Sequence, residues 1–280
     1  MSSDIGAMIA FGVIALLILF IGWRKGFFNF EEKPWQVPFS LVQLLGAFLI
    51  YFLASYLLNK ILRKMLVMQY LGLMSWLNFV ISLVIAILLG IYLLLLPRPV
   101  SKGILRREHV EHPLYQDVWA AVYAWIMAFP LVLFLSQALE MIVAKFFGIT
   151  KLPDQIAVKF LKSTFETPLY FVLAVLSIII LAPLIEETLF RGFLQTFIRK
   201  HLGSKQAILI TSVCFSLFHY APGQGLGNIM IIISLFVLAL FLGFLYEKQG
   251  SLLAPIVLHS LFNTISVINL YLFGGFTSGL

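Results

Sequence analysis

Charge is scarce in this 280-residue chain: Asp, Glu, Lys and Arg make up 11% of it, and only 12 residues are acidic. Soluble globular domains carry about 25% charge, whereas here 61% of residues are hydrophobic and the mean hydropathy is +1.03. A soluble domain is excluded, and the chain reads as an integral membrane protein of the all-α class, a polytopic helix bundle. Cysteine is scarcer still. Cys214 stands alone, which excludes an intramolecular disulfide and a cysteine-rich metal knuckle, so it reads as a small buried hydrophobe. Internal repeats and low-complexity tracts are absent. No basic run is interleaved with aromatics as a base-stacking groove requires, so the net charge of +7 points to membrane lipids of anionic character and not to nucleic acid.

What the chain has is apolar runs long enough to cross about 30 Å of hydrocarbon. They fall near residues 5–23, 37–59, 75–96, 117–146, 168–198, 206–220, 228–246 and 252–272, about eight helices in all. Arg24 and Lys25 follow the first run, so it reads as a retained helix and not a cleaved signal. The charged loop at 97–116, with Pro97 and Pro99, divides three N-terminal helices of unassigned role (1–115) from a five-helix remainder (116–280). The stretch KLPDQIAVKFLKSTFETP mixes Lys159 and Lys162 with apolar positions and suits a short amphipathic interfacial helix. With the N-terminus outside, inward loops hold eleven Lys and Arg, among them Lys33, Arg106, Lys200 and Lys248. The outward loops hold seven: Lys60, Arg63, Lys64, Lys145, Lys151, Lys159 and Lys162. That bias predicts N-out and C-out.

Two of the few acids sit side by side in LIEETLFRGF, directly after an apolar run. Ionisable groups at membrane depth cost several kcal/mol unless paired or hydrated, so they mark function by default. Glu187 and Arg191 are four apart with the acid first, the orientation of a helical ion pair. Glu186 points about 100° away and needs a partner from another segment. CFSLFHY offers one: Glu186 lies 17 residues before Gly203 of the turn HLGSK, and His219 lies 16 after it. Equal spacing from a hairpin turn puts both at equal depth, roughly 20 Å in. His259 and Asn263, four apart in LLAPIVLHSLFN, start roughly 15 Å from the turn EKQGS on the same side.

A carboxylate, two imidazoles and an amide at matched depth suit amide hydrolysis. Glu186 with His219 deprotonates a water and returns the proton to the leaving amine, while His259 and Asn263 hydrogen-bond the oxyanion. Ser212 and Ser216 share a face with His219, but a serine nucleophile leaves the other groups without a joint task. A proton-relay transporter would also use Glu and His, yet the inverted repeats of such proteins are absent. Pro183, three residues before Glu186, is expected to kink its helix.

EETLFR at 186–191 resembles an EExxxR motif, FSLFH at 215–219 an FxxxH motif, and HSLFN at 259–263 an HxxxN motif. In this order they resemble the signature of the CPBP intramembrane proteases, which include the type II CAAX prenyl endopeptidases and bacteriocin-processing and immunity proteins. The resemblance covers about residues 165–270. It implies catalytic Glu186, His219, His259 and Asn263, with Glu187, Arg191 and Phe215 in support, and a peptide or lipidated protein substrate. Zinc held by Glu186, His219 and His259 is the alternative to a cofactor-free mechanism, although no HExxH pair exists and Asn263 is a poor zinc ligand. A non-catalytic immunity or scaffold protein is the other alternative. The expected location is the cytoplasmic membrane of a prokaryote, with the active site open to the cytosolic side.

Overall fold

The computed structural model describes residues 2–30, 37–65, 71–107, 110–148 and 155–274. Lys33 and Lys151 of the loop comparison lie outside these residues. Among the described residues are ten helices, besides a 3-10 turn at Pro222–Gln224: α1 (Ser2–Arg24), α2 (Leu41–Met65), α3 (Leu71–Leu95), α4 (Arg98–Leu105), α5 (Leu114–Phe147), α6 (Ile156–Lys162), α7 (Pro168–Leu202), α8 (Ser204–Phe218), α9 (Gly227–Gln249) and α10 (Leu253–Phe273). Six of them are long and apolar enough to cross a membrane, and Met8–Arg24 and Ser204–Phe218 are shorter apolar helices. The fold is a polytopic helical membrane bundle. Among the described residues the one β-type pairing is an isolated antiparallel bridge between Arg106 and Ser251.

Two boundaries differ from the sequence reading. The stretch 97–116, expected as a loop, contains α4. Pro97 precedes that helix and Pro99 lies in its first turn, where backbone N–H groups have no helical partner and proline is tolerated. The run expected to be helical over 206–220 stops at Phe218, with His219 as the cap and Pro222 close behind. A proline cannot extend the hydrogen-bond ladder, so the helix ends where the site begins.

Packing in lipid relies on close approach more than on apolarity, because the surrounding tails are as apolar as leucine. Ala121, Ala124 and Ala128 of α5 are wholly buried, and α5 packs on α1, α9 and α10. A Cβ at Gly12 of α1 would lie 2.9 Å from the Phe134 ring, so the glycine permits the close α1–α5 crossing. A second core joins both ends of the sequence: Phe39 and Leu44, Leu89 and Leu93 of α3, and Ile104 of α4 cluster with Leu189, Phe190 and Phe193 of α7. Cys214 is exposed on α8, which corrects its expected burial. In a bilayer an apolar side chain is as well placed against lipid as inside the bundle.

The two ends of the bundle differ. At one end lie the turns at Gly203 and Gly250, the latter left-handed with φ 61°, a conformation glycine adopts without strain. These turns are tied together by Glu247: its Oε2 accepts from Arg107 Nη2 at 3.1 Å and Arg199 Nε at 3.0 Å, and its Oε1 from Gln195 Nε2 at 3.0 Å. At the other end, α6 and the start of α7 meet the end of α10. There Tyr271 contacts the rings of Phe165 and Phe171 at 5.4 and 5.1 Å.

Candidate active site

The site is built on irregularities of α7. Residues Ser177–Leu181 and Thr188–Gln195 are π-helical turns flanking Ala182–Glu187; such turns recur at functional sites. In the first, the Ala182 N–H reaches back to the Ser177 carbonyl, and the next residue, Pro183, has no N–H to offer Ile178. The Ile178 carbonyl is therefore available, and Asn263 Nδ2 donates to it at 2.8 Å. This is the local effect of Pro183: it opens an acceptor on α7 that holds Asn263 of α10 in place.

Glu186 and Glu187 diverge as their adjacency requires. Glu187 is wholly buried and its Oε1 accepts from Arg191 Nη1 at 3.0 Å and His259 Nδ1 at 2.8 Å. The ion pair read from the four-residue spacing is present, and the histidine contact was not legible, because it depends on how α10 rotates against α7. Arg191 also donates to the Ala239 carbonyl at 3.2 Å and lies over the Phe215 ring at 4.4 Å. Two unlike supports thus hold a buried guanidinium. Phe215 is fully buried, with its ring 4.8 Å from that of His219 and 5.9 Å from that of His259, so it forms the floor on which both imidazoles rest.

Glu186 faces the other way. Its Oε2 lies 3.6 Å from His219 Nε2 and 4.0 Å from His259 Nε2, and has no hydrogen-bond partner among the described residues. The depth match between Glu186 and His219 is thereby realised. The tautomers follow from the other ring nitrogens. His219 Nδ1 meets the Phe215 carbonyl at 2.9 Å, and His259 Nδ1 meets the Glu187 carboxylate. A carbonyl and an ionised carboxylate only accept, so both Nδ1 atoms carry hydrogen and both Nε2 atoms turn to Glu186.

All four groups, Glu186, His219, His259 and Asn263, line one cavity of about 300 Å³. Ser212 and Ser216 do not line it. Their hydroxyls donate to the carbonyls of Ile208 and Val213 at 2.7 and 3.0 Å, which removes the observation that favoured a serine nucleophile. For the zinc alternative, no group of three His, Cys, Asp or Glu side chains among the described residues is arranged to hold a metal ion. The cavity runs from the site towards α6, lined by Ala157, Val158, Leu161 and Leu270. The expected opening on the side of the basic turns is not where the cavity leads. The depth of the site was legible by counting from the turns, whereas the direction of its cavity depends on packing; the turn end carries a separate cavity of about 320 Å³ lined by Arg107, Arg199, Ser204 and Glu247.

Fold and site together define a polytopic membrane protein with a buried acid–imidazole centre. Residues 168–265 match the family model described as type II CAAX prenyl endopeptidase Rce1-like, so this segment is similar to that family of CAAX-type proteases. An Escherichia coli protein described as an uncharacterized 24.3 kDa protein is 34% identical over 103 residues, 35% of this chain. The matched stretch spans 44% of that relative's length. No solved structure matches the chain.

Proposed function

We propose that the protein is an intramembrane endopeptidase in which Glu186 and His219 activate a water and His259 and Asn263 stabilise the oxyanion. One observation carries this reading: a carboxylate oxygen without a hydrogen-bond partner among the described residues faces two imidazole Nε2 atoms at 3.6 and 4.0 Å beside a cavity. A water there donates one hydrogen to Glu186 Oε2 and the other to His219 Nε2, and a lone pair is left for the carbonyl carbon of the substrate. As the water attacks, its proton passes to the Glu186–His219 pair, and the same pair returns it to the leaving nitrogen. The second N–H of Asn263, whose first binds Ile178, donates to the oxyanion. His259, held at Nδ1 by the Glu187 carboxylate, donates through Nε2 when it carries both ring protons. Glu187, Arg191 and Phe215 hold His259 in orientation.

In this reading the reacting groups all come from residues 116–280, while α2, α3 and α4 back α7 and α1 packs on α5. The substrate is a peptide or a lipidated protein within a prokaryotic cytoplasmic membrane, and the basic turns face the cytosol. The mechanism is cofactor-free, and Glu186, His219 and His259 are also the donors that a zinc mechanism would use. Purified protein in detergent is expected to cleave members of a peptide library that includes farnesylated C-terminal peptides, with activity kept under a strong zinc chelator. Loss under chelator with recovery on adding zinc replaces the mechanism by a metal-dependent one, and no cleavage of any peptide leaves a non-catalytic membrane protein.

A further inference from the structure

The cavity has a direction and a lining that the catalytic groups do not use. On α7 it is lined by Ile178, Ala182 and Glu186, and by nothing between Glu187 and the Gly203 turn. On α10 its lining begins at His259 and continues past Asn263 to Asn269 and Leu270. Both helices thus lead from the site towards α6, away from the turns at Gly203 and Gly250. Among the described residues Glu186 is the one Asp, Glu, Lys or Arg side chain in the lining, so a charged substrate side chain beside them would be buried without a partner at a cost of several kcal/mol.

The polar lining is specific in kind. Ser234 of α9 is 4% exposed, lines the cavity, and its Oγ has no hydrogen-bond partner among the described residues. A buried hydroxyl left unmet costs about 1–3 kcal/mol, and a ligand in the cavity is the group placed to meet it. Asn263 and Asn269 lie along α10 on the same cavity. A hydrocarbon chain filling this space would leave the Ser234 hydroxyl unmatched and offer nothing to Asn269 or to the second N–H of Asn263. An extended peptide backbone presents an N–H or C=O at every residue, about 3.3 Å apart, and matches them.

We propose that the substrate enters from the α6 face as an extended peptide with uncharged side chains, and that the Ser234 hydroxyl hydrogen-bonds its backbone beside the scissile bond. This rests on the endopeptidase reading above. The hydroxyl touches substrate and takes no proton from the reacting water, so it acts on binding more than on turnover.

The test has two arms. Single cysteines at Ala157 and Asn269, and at Lys205 near the Gly203 turn, are introduced with Cys214→Ala and the inactivating Glu186→Gln. Maleimide labelling is then followed with and without a library of short apolar synthetic peptides. Protection of Ala157→Cys and Asn269→Cys, with Lys205→Cys unchanged, is expected; protection of Lys205→Cys alone overturns the direction of access. In otherwise wild-type protein, Ser234→Ala is expected to raise KM about tenfold with kcat within about threefold, and Ser234→Thr to restore KM. An unchanged KM in a folded Ser234→Ala protein overturns the assignment. Protection at the α6 face by peptides that the wild type never cleaves keeps the peptide site and removes the endopeptidase reading instead.

Discussion

Glu186 and Glu247 are both carboxylates inside the bundle, and their surroundings could hardly differ more. Glu247 is matched at both oxygens, by Arg107, Arg199 and Gln195 at 3.0–3.1 Å, and it joins two turns and the segment after α4. Glu186 has an oxygen with no hydrogen-bond partner among the described residues, two imidazoles held just beyond hydrogen-bond distance and a cavity alongside. Saturating a buried acid with donors makes it a structural fastening; holding one short of its donors leaves it ready to react. Glu187 stands between them, fastened to Arg191 yet oriented so as to fix an imidazole of the site.

The sharpest break of this comparison is Glu186→Gln. Its kcat is expected to fall about 10⁴-fold, the upper end of what a general base supplies, with a thermal melt in detergent unchanged. Glu247→Ala is expected to do the reverse. It removes the carboxylate shared by two buried guanidiniums, so stability falls by about 3–5 kcal/mol, read as a lower melting temperature, while the fraction still folded keeps its kcat. A stable Glu247→Ala protein without activity would erase the distinction.

Smaller effects sharpen it. Asn263→Ala removes one oxyanion donor and is expected to lower kcat about 10²- to 10³-fold, with KM little changed in steady-state cleavage assays. Pro183→Ala supplies an N–H that competes with Asn263 for the Ile178 carbonyl. Its kcat should fall by less than that of Asn263→Ala, and Asn263→Ala added to it should cost less than it does alone, a non-additivity that a double-mutant cycle reads directly. The smallest is Arg191→Lys, which keeps the charge but loses the planar fork that serves Glu187 and the Ala239 carbonyl together. Here a modest loss of both kcat and melting temperature is expected, in keeping with the intermediate position of Glu187.

Much of this was legible before any coordinates. The long apolar runs set the helices, and equal counting from Gly203 placed Glu186 opposite His219. What escaped the sequence depends on single-residue geometry or on rotation about helix axes. Hydropathy does not register the π turns of α7, since each shifts the ladder by one residue without changing composition. Pro183 did carry a signal, and beyond the expected kink the informative count is the five residues back to Ile178, whose carbonyl it leaves to Asn263. The bond from His259 to Glu187 needs the relative rotation of α7 and α10, and the direction of the cavity needs the packing of α6, α9 and α10 around it. Ser234 is one serine among many in the sequence and becomes distinct because its hydroxyl, unmet among the described residues, lies on the cavity.

The measurement closest to the central claim is peptide cleavage by purified wild type and Glu186→Gln side by side, each with its thermal melt recorded in the same detergent. The account predicts cleavage by the wild type, none detectable in the variant, and superimposable melts. A Glu186→Gln protein that cleaves at the wild-type rate would contradict it outright, because no other carboxylate faces both imidazoles among the described residues.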